Sequence, residues 1–492
     1  MKKRILFRAD GNKTTGLGHL YRLFAIVEML KEDFEYTYLT RTSSTIEVIP
    51  VEYDLKLIDV NISIEQEPDW LAKQFKPEES ILIADGYHFD SSYQKRIKEL
   101  GFTMVYIDDL ATECMHADLV INHSPSISTD SFNDSGHTDY ALGTKYALLR
   151  PSFLTAAKEP RKIDRIDKAF VCFGGADKLD LSLKTTKALL QIDQILEIHV
   201  VLGAAYKNNG IHELVEKNSS KIKLHSNLSE EQLVNLMKSC NFAVAPSSTI
   251  CYELCCVKMP ILSGYFVENQ KRIYDDLVKN KVISLGGNFT NFTISDFKKQ
   301  IEKSIKDRSF KKNLEMQQKL FDGKTGLRVL SIVNHLAISF RKANSDDLIM
   351  VYNWSNDALV RQNSYESEPI KIEDHTKWFL DRIANKNTLF LIAMVNNNPA
   401  GIVRYEIKEK ETVIGILINK KYRGQKLAES FLYESAKLYF ETSNNPVFAY
   451  IKEENIASIK SFENARYKYD RTEEVKGFKS LLYKLEQRDV RK

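Results

Sequence analysis

The sequence predicts an α/β protein with two doubly wound parallel sheets in tandem, followed by a smaller α+β domain. Three observations predict it. β-rich runs alternate with helical patterns from residue 4 to about residue 330. Glycine-rich turns sit where strand-end loops enter helices, and near residue 338 the alternation gives way to three closely spaced strands. At 492 residues the chain also exceeds one ordinary core, so two or three domains are expected.

The first series of strand-like runs is RILFRAD (4–10), FEYTYLT (34–40), ILIADGY (81–87), TMVYIDD (103–109) and ADLVINH (117–123). After the charged, turn-prone KEPRKIDRID (158–167) a second series follows: AFVCFGG (169–175), EIHVVLG (197–203), FAVAPSS (242–248) and PILSGYF (260–266). Such alternation implies right-handed βαβ units and parallel sheets, with ligands at the carboxyl ends of the strands. The two lobes are placed at 1–155 and 156–335. From 338 to 492 a helix leads into TLFLIAMV (388–395), AGIVRYEI (400–407) and TVIGILI (412–418), the first two joined by the turn-forming NNNP. That meander puts a domain boundary at about 336–340, with no Gly/Ser linker to mark it.

Composition excludes several classes. With 43% hydrophobic residues and 11 prolines the chain reads as globular throughout. A net charge of +4, with no basic stripe or arginine-rich tail, argues against a nucleic-acid partner. MKKRILFRAD reads as a strand rather than a signal peptide, and no apolar run approaches the ~20 residues of a membrane helix. A cytoplasmic protein without membrane association is expected. The six cysteines form no CxxC pair or zinc set and read as small buried hydrophobes, so no metal is expected.

The junction RADGNKTTGLGHLYR (8–22) carries the first candidate site. Leu20, Leu23, Phe24, Val27 and Leu30 recur at helical spacing, so Gly16-Leu17-Gly18-His19 marks a loop entering a helix. Gly16 and Gly18 let backbone approach a bulky ligand, and a helix start offers free N–H groups. His19 at that mouth is a candidate proton acceptor; the alternative is a tight turn with an exposed histidine. In the second lobe Gly174 and Gly175, with Asp177, end the first strand. Ser247, Ser248 and Thr249 precede the helix TICYELCCVK and read as a diphosphate cradle, with Glu253 one turn in to reach ribose hydroxyls. The alternative is a plain N-cap and a surface glutamate. Asn269 and Gln270 open the next helix as candidates for ligand contact or capping.

Five motifs in this order (FRADGN…GLGH, IADGY, FGGAD, APSSTICYE and YFVENQ) resemble the UDP-sugar hydrolase of bacterial pseudaminic acid synthesis, over about residues 1–330. That family resembles two-lobed glycosyltransferases of the GT-B type. The resemblance implies Rossmann-like lobes and cleavage of UDP-2,4-diacetamido-2,4,6-trideoxy-β-L-altrose to UDP and free sugar. It makes His19 the base for water, Asp10 and Asn12 candidates to orient that base or the sugar, and Tyr87 a substrate contact. Attack opposite the leaving group implies inversion.

Residues 338–492 resemble a GNAT-type N-acetyltransferase. After TVIGILI comes Asn419-Lys420-Lys421-Tyr422-Arg423-Gly424-Gln425-Lys426-Leu427-Ala428, in the place of the family's acetyl-CoA pyrophosphate loop. The resemblance makes Arg423, Gly424, Lys426 and Ala428 contacts of the co-substrate acetyl-CoA, although Lys426 stands where the middle glycine is usual. Asn455 and Ser458 match the helix that meets the pantetheine arm. The thiolate-protonating tyrosine is replaced by Phe462, leaving Tyr467, Tyr469 or no side chain for that role. The segment YNWSNDALVRQNS (352–364) is similar to acetyltransferases acting on nucleotide-linked amino sugars, with Trp354, Asn356 and Arg361 as candidate contacts; the alternative is a core tryptophan, a cap and a solvated arginine. Together these imply acetylation of a UDP-4-amino sugar followed by removal of UDP. The rival expectation is a glycosyltransferase carrying a degenerate, non-catalytic GNAT domain.

Overall fold

The computed structural model describes residues 2–12, 16–125, 127–134, 136–203, 205–307 and 310–490; residues 13–15 of the opening glycine turn lie outside them. The chain divides into two compact units, Arg4–Val329 and Leu330–Lys492, the latter with Met1–Lys3. The division falls inside the helix Thr325–Leu336, earlier than the 336–340 expected. The last turns of that helix bond to the second unit's own loop at Gln425.

The first unit contains two parallel sheets. The first holds β1 (Arg4–Ala9), β2 (Glu35–Arg41), β3 (Leu55–Ile58), β4 (Ser80–Asp85), β5 (Thr103–Ile107), β6 (Leu119–Asn122) and β7 (Asp139–Leu142), in the order β3-β2-β1-β4-β5-β6-β7. The second holds β8 (Lys168–Val171), β9 (Glu197–Leu202), β10 (Ile222–Ser226), β11 (Phe242–Pro246), β12 (Ile261–Tyr265) and β13 (Ser284–Asn288), in the order β10-β9-β8-β11-β12-β13. Both orders step outward from the first strand and then reverse, which is the doubly wound arrangement. Central strands are buried on both faces: every residue of SILIAD is buried, as are the last five of RILFRA. That is why they read as near-continuous apolar runs.

The expected second strand series is shorter than its glycine ends suggested, since β8 stops at Val171. Past the strand ends the backbone is closely packed at Gly203. A Cβ there would lie 2.4 Å from the Gly175 Cα, so the loops that follow two adjacent strands touch backbone to backbone. Five of the six cysteines are buried and only Cys114 is exposed, as their expected role as small hydrophobes requires. No helix among the described residues is long and apolar enough to cross a membrane.

The second unit is one mixed sheet: β14 (Ile338–Lys342), β15 (Thr388–Val395), β16 (Asn398–Ile407), β17 (Thr412–Ile418), β18 (Val447–Lys452), β19 (Lys468–Val475) and β20 (Phe478–Leu485), ordered β14-β15-β16-β17-β18-β20-β19. The β15–β16 hairpin turns on Asn396 and Asn397, both at positive φ (46° and 62°). Two such residues in succession match the twist of the flanking strands, and asparagine tolerates them. β17 and β18 run parallel but pair only through Thr412 with Val447 and Val413 with Phe448. Beyond those pairs the strands part, leaving Ile414–Ile418 of β17 without a partner strand on that side.

Candidate functional site

In the first unit the helix Gly18–Leu30 starts immediately after the glycine turn, with Leu20, Leu23, Phe24, Val27 and Leu30 buried. The turn closes by a hydrogen bond from Gly16 N to Asn12 O (2.8 Å), and Gly16 takes φ +88°. His19 is therefore carried on the first helical turn, at the carboxyl edge of the sheet. Its ring is neither lost in the core nor turned to bulk water: the side chain keeps 17% of its exposure.

The residue that orients His19 is Asp85, rather than the expected Asp10 or Asn12. Ala9 and Asp85 are register partners at the ends of β1 and β4, so the pairing itself sets this carboxylate beside the turn. His19 Nδ1 lies 2.7 Å from Asp85 Oδ1. Since a carboxylate only accepts, the neutral ring donates its Nδ1–H there and carries its lone pair on Nε2. Asp85 is fully buried. Burial works to raise its pKa, but Arg22 donates to both oxygens (Nε 2.6 Å, Nη2 2.5 Å) and holds it below the carboxylate range. Arg22 also donates to Asp109 (3.0 Å), which accepts from the Tyr87 hydroxyl at 3.2 Å. Burial and Asp109 push the Tyr87 phenol up to about 12, so it remains a donor. Its ring stands edge-on to His19 at 4.8 Å.

Asp10 serves a different network. It accepts from Arg8, the Arg41 backbone N–H and Thr40, and pairs with His88, all against the buried Arg8–Glu67 ion pair. It braces the base of the turn rather than His19. Asn12 closes the turn through its carbonyl.

Second-lobe candidates divide by burial. Gly174 (φ +83°) has open space around it, and Gly175 is the residue approached by Gly203. Asp177 is buried and turned to the backbone of its own segment. Its carboxylate accepts from Leu181 N (2.9 Å) and Ser182 N (2.8 Å), capping the helix Leu181–Leu190. Asp177→Ala is expected to cost about 1 kcal/mol through the lost cap, read as a lowered urea midpoint. A parental midpoint in the variant would remove Asp177 from this capping role.

Ser247 is also withdrawn: it is fully buried and shares a hydrogen bond with Ser263 (2.8 Å). Ser248 occupies the N-cap of the helix Thr249–Cys256 with no side-chain cap bond, and Thr249 is exposed beside it. Glu253 is buried and ion-paired with Arg150 (2.8 Å), so it cannot reach out to a ribose. Burial pushes its pKa up against the opposing pull of Arg150. Sequence spacing placed it one turn in, but which face of the helix it occupied was a matter of packing. Asn269 is exposed in the first turn of Glu268–Lys279, while Gln270 accepts from Phe266 N at 3.1 Å.

Three contacts bring the two lobes of this unit together around those helix starts. Arg150 meets Glu253, and Arg272 Nη1 reaches Leu110 O at 3.5 Å, next to Asp109. The third is His123, at the end of β6, which stands edge-on to Tyr252 at 5.5 Å. Burial first and then Arg22 lower the His123 pKa to about 4, keeping it uncharged at neutral pH. No sequence pattern flagged His123; its signal was position, directly after a strand of the same carboxyl edge.

In the second unit the helix Leu427–Phe440 begins after Lys426, which takes φ +59°, and its first turn has no side-chain cap. Gly424 takes φ +78° with nothing near its α-carbon. Uncapped N–H groups at Lys426, Leu427 and Ala428, beside the open edge of β17, fit a pyrophosphate and an amide-bearing arm. Arg423 is not free for that anion, because its Nε donates to Ile418 O and its guanidinium pairs with Asp357 at 2.7 Å. Asn455 caps its own helix by accepting from Ser458 N (3.1 Å), which leaves its amide N–H groups for an arm; Ser458 is half-buried alongside. Trp354 packs on the core around Phe379 and Phe390, and Asn356 exchanges two bonds with Ile370 (2.7 and 3.0 Å). Both thus have structural partners within the fold while remaining partly exposed. Arg361 gives Nη2 to Glu366 O, while its Nε is buried with no protein partner among the described residues. Of the two substitute tyrosines, Tyr467 is buried against Phe462 and Tyr469 is exposed. No group of three or more His, Cys, Asp or Glu that could hold a metal occurs among the described residues.

The chain is 24% identical over 496 residues to an uncharacterized protein of Methanocaldococcus jannaschii, covering 94% of this chain and 96% of that one. It is 24% identical over 268 residues to the spore coat polysaccharide biosynthesis protein SpsG of Bacillus subtilis, covering 53% of this chain and 77% of that protein. Among solved structures, an aminoglycoside acetyltransferase in complex with coenzyme A and kanamycin aligns over 31% of this chain and 96% of its own, at 17% identity and TM-score 0.28. A Vibrio cholerae spermidine N-acetyltransferase with CoA and spermine aligns over 32% and 98%, at 15% identity and TM-score 0.30. Residues 338–468 match the family described as Acetyltransferase (GNAT) domain. The C-terminal part of the chain is accordingly a GNAT-type acetyltransferase domain, and acetyl-CoA is its co-substrate.

Proposed function

We propose that the chain is a two-activity enzyme of nucleotide-sugar metabolism. Residues 4–329 hydrolyse a UDP-linked 2,4-diacetamido-2,4,6-trideoxy sugar of the L-altrose type to UDP and free sugar, with inversion. The acetyltransferase domain acts one step earlier, acetylating the 4-amino group of the UDP-linked precursor, as in pseudaminic acid synthesis. The observation that carries the hydrolase reading is the His19–Asp85 pair, anchored by Arg22 at the carboxyl edge of the first sheet. Two further supports are the partial relative SpsG, named for polysaccharide biosynthesis, and the five ordered motifs of residues 1–330.

The chemistry asks little more of the protein. His19 Nε2 takes a proton from water as the water oxygen bonds to the anomeric carbon. The bond from that carbon to the diphosphate oxygen breaks, and its electron pair leaves on UDP. Free N–H groups at Ser248–Thr249 and the open turn at Gly174 are the donors proposed for the departing charge. Tyr87, protonated at neutral pH, is the proposed donor to the sugar. In the second domain a neutral amine attacks the thioester carbonyl, the C–N bond forms as the C–S bond breaks, and the proton the nitrogen loses balances the one taken up by the departing thiolate.

The test is incubation of the full chain with the UDP-diacetamido sugar in water labelled with oxygen-18. UDP released without acceptor, and label on the free sugar, is the expected result. Release that requires an added acceptor, with no label incorporated, would make these lobes a glycosyltransferase instead. A companion incubation with acetyl-CoA and the UDP-4-amino sugar is expected to yield a product heavier by one acetyl group.

A further inference from the structure

We infer that Ser331 and Asn334, which precede the matched residues 338–468, are positioning residues for the acetyl-CoA loop and act through Gln425. This rests on the acetyl-CoA reading of that loop. Ser331 Oγ donates to the Gln425 backbone oxygen at 2.6 Å, and Asn334 Nδ2 donates to Gln425 Oε1 at 2.8 Å. Asn334 is itself 4% exposed, so its bond is shielded from water. On its other side the Gln425 amide donates to Lys421 O (3.3 Å).

The consequence follows from peptide geometry. The Gln425 carbonyl and the Lys426 N–H belong to one planar trans unit and point in opposite directions. Fixing the carbonyl on Ser331 therefore aims the Lys426 N–H away from the helix, as the first donor of the uncapped turn. That plane needs fixing here. Gly424 and Lys426 flank Gln425 at φ +78° and +59°, and a side-chain-bearing residue held left-handed persists only where its surroundings enforce it. Lysine stands where the resembled family places glycine, and the brace from the preceding helix offsets that substitution.

Calorimetric titration of the full chain with coenzyme A tests this. Ser331→Ala and Asn334→Ala are each expected to weaken coenzyme A about 3- to 10-fold, the loss of one hydrogen bond. KM for acetyl-CoA should rise with kcat and UDP release retained, and Ser331→Thr, which keeps the hydroxyl, should restore affinity. Asn334→Ala should add nothing in a Gln425→Ala background, and less in Lys426→Gly, where the loop needs no enforcement. Parental affinity in both single variants, or losses of Asn334→Ala and Gln425→Ala that simply multiply, would overturn the brace. A parent chain that bound no coenzyme A would instead overturn the acetyl-CoA reading.

Discussion

His19→Ala is expected to slow UDP release by about 10²- to 10⁴-fold, the usual contribution of a positioned acid–base side chain, with acetyl transfer unchanged. The rate loss should appear in kcat, because His19 is proposed to act on water rather than to hold the nucleotide. His19→Gln keeps a polar side chain of similar reach but cannot take up a proton at neutral pH, so it should be as slow as alanine. Hydrolysis near the parental rate in either variant removes His19 from the mechanism. A parental urea midpoint for the first unit in the same preparations shows that the unit carrying His19 has folded.

Asp85→Asn carries the second large effect. The amide can offer Nδ1 either an oxygen or an N–H, so the tautomer with a free Nε2 is no longer enforced; a loss of about 10³- to 10⁴-fold in kcat is expected. Arg22 would lose its bidentate partner and keep only Asp109 at 3.0 Å, so part of its compensation goes and a destabilisation of about 1–3 kcal/mol is expected. The sign of the acid response follows from the lowered pKa of Asp85. A group depressed in the folded state contributes its full stability above the ordinary carboxylate range, near about pH 4, and loses it as pH falls through the folded value. The urea midpoint of the first unit should therefore fall less steeply on acidification in Asp85→Asn than in the parent. Parallel midpoint curves, or parental turnover in the variant, would remove Asp85 from this role.

Much of the scaffold was legible because buried central strands have no polar face to alternate. RILFRA, SILIAD and TMVYI carry the continuous apolar runs ILF, ILIA and MVYI, and each is a central strand of the first sheet. The strands that escaped are toward the edges: LKLI is largely half-exposed, and SLGGN is broken by glycines. Half-solvated short strands lack both the continuous run and a clean alternation, so pattern alone does not separate them from loops.

The sequence by itself determined the features that are local: the glycine turn entering a helix at His19 and the NNNP turn between two strands of the second unit. Each depends on residues within a few positions of one another, whose backbone preferences and hydrogen-bonding groups act along the chain. Only the tertiary structure decided which carboxylate serves His19. Asp85 lies 66 positions away and reaches it through the pairing of β1 with β4, whereas the nearby Asp10 is captured by Arg8 and Arg41. The same holds for Asp177, Ser247, Glu253 and Arg423, whose types suit a ligand but whose groups are engaged by a helix end, a serine, an arginine and an aspartate. Residue type sets what a side chain can bond. Burial and long-range pairing set what it does bond, because a polar group taken out of water must find its partner inside the fold.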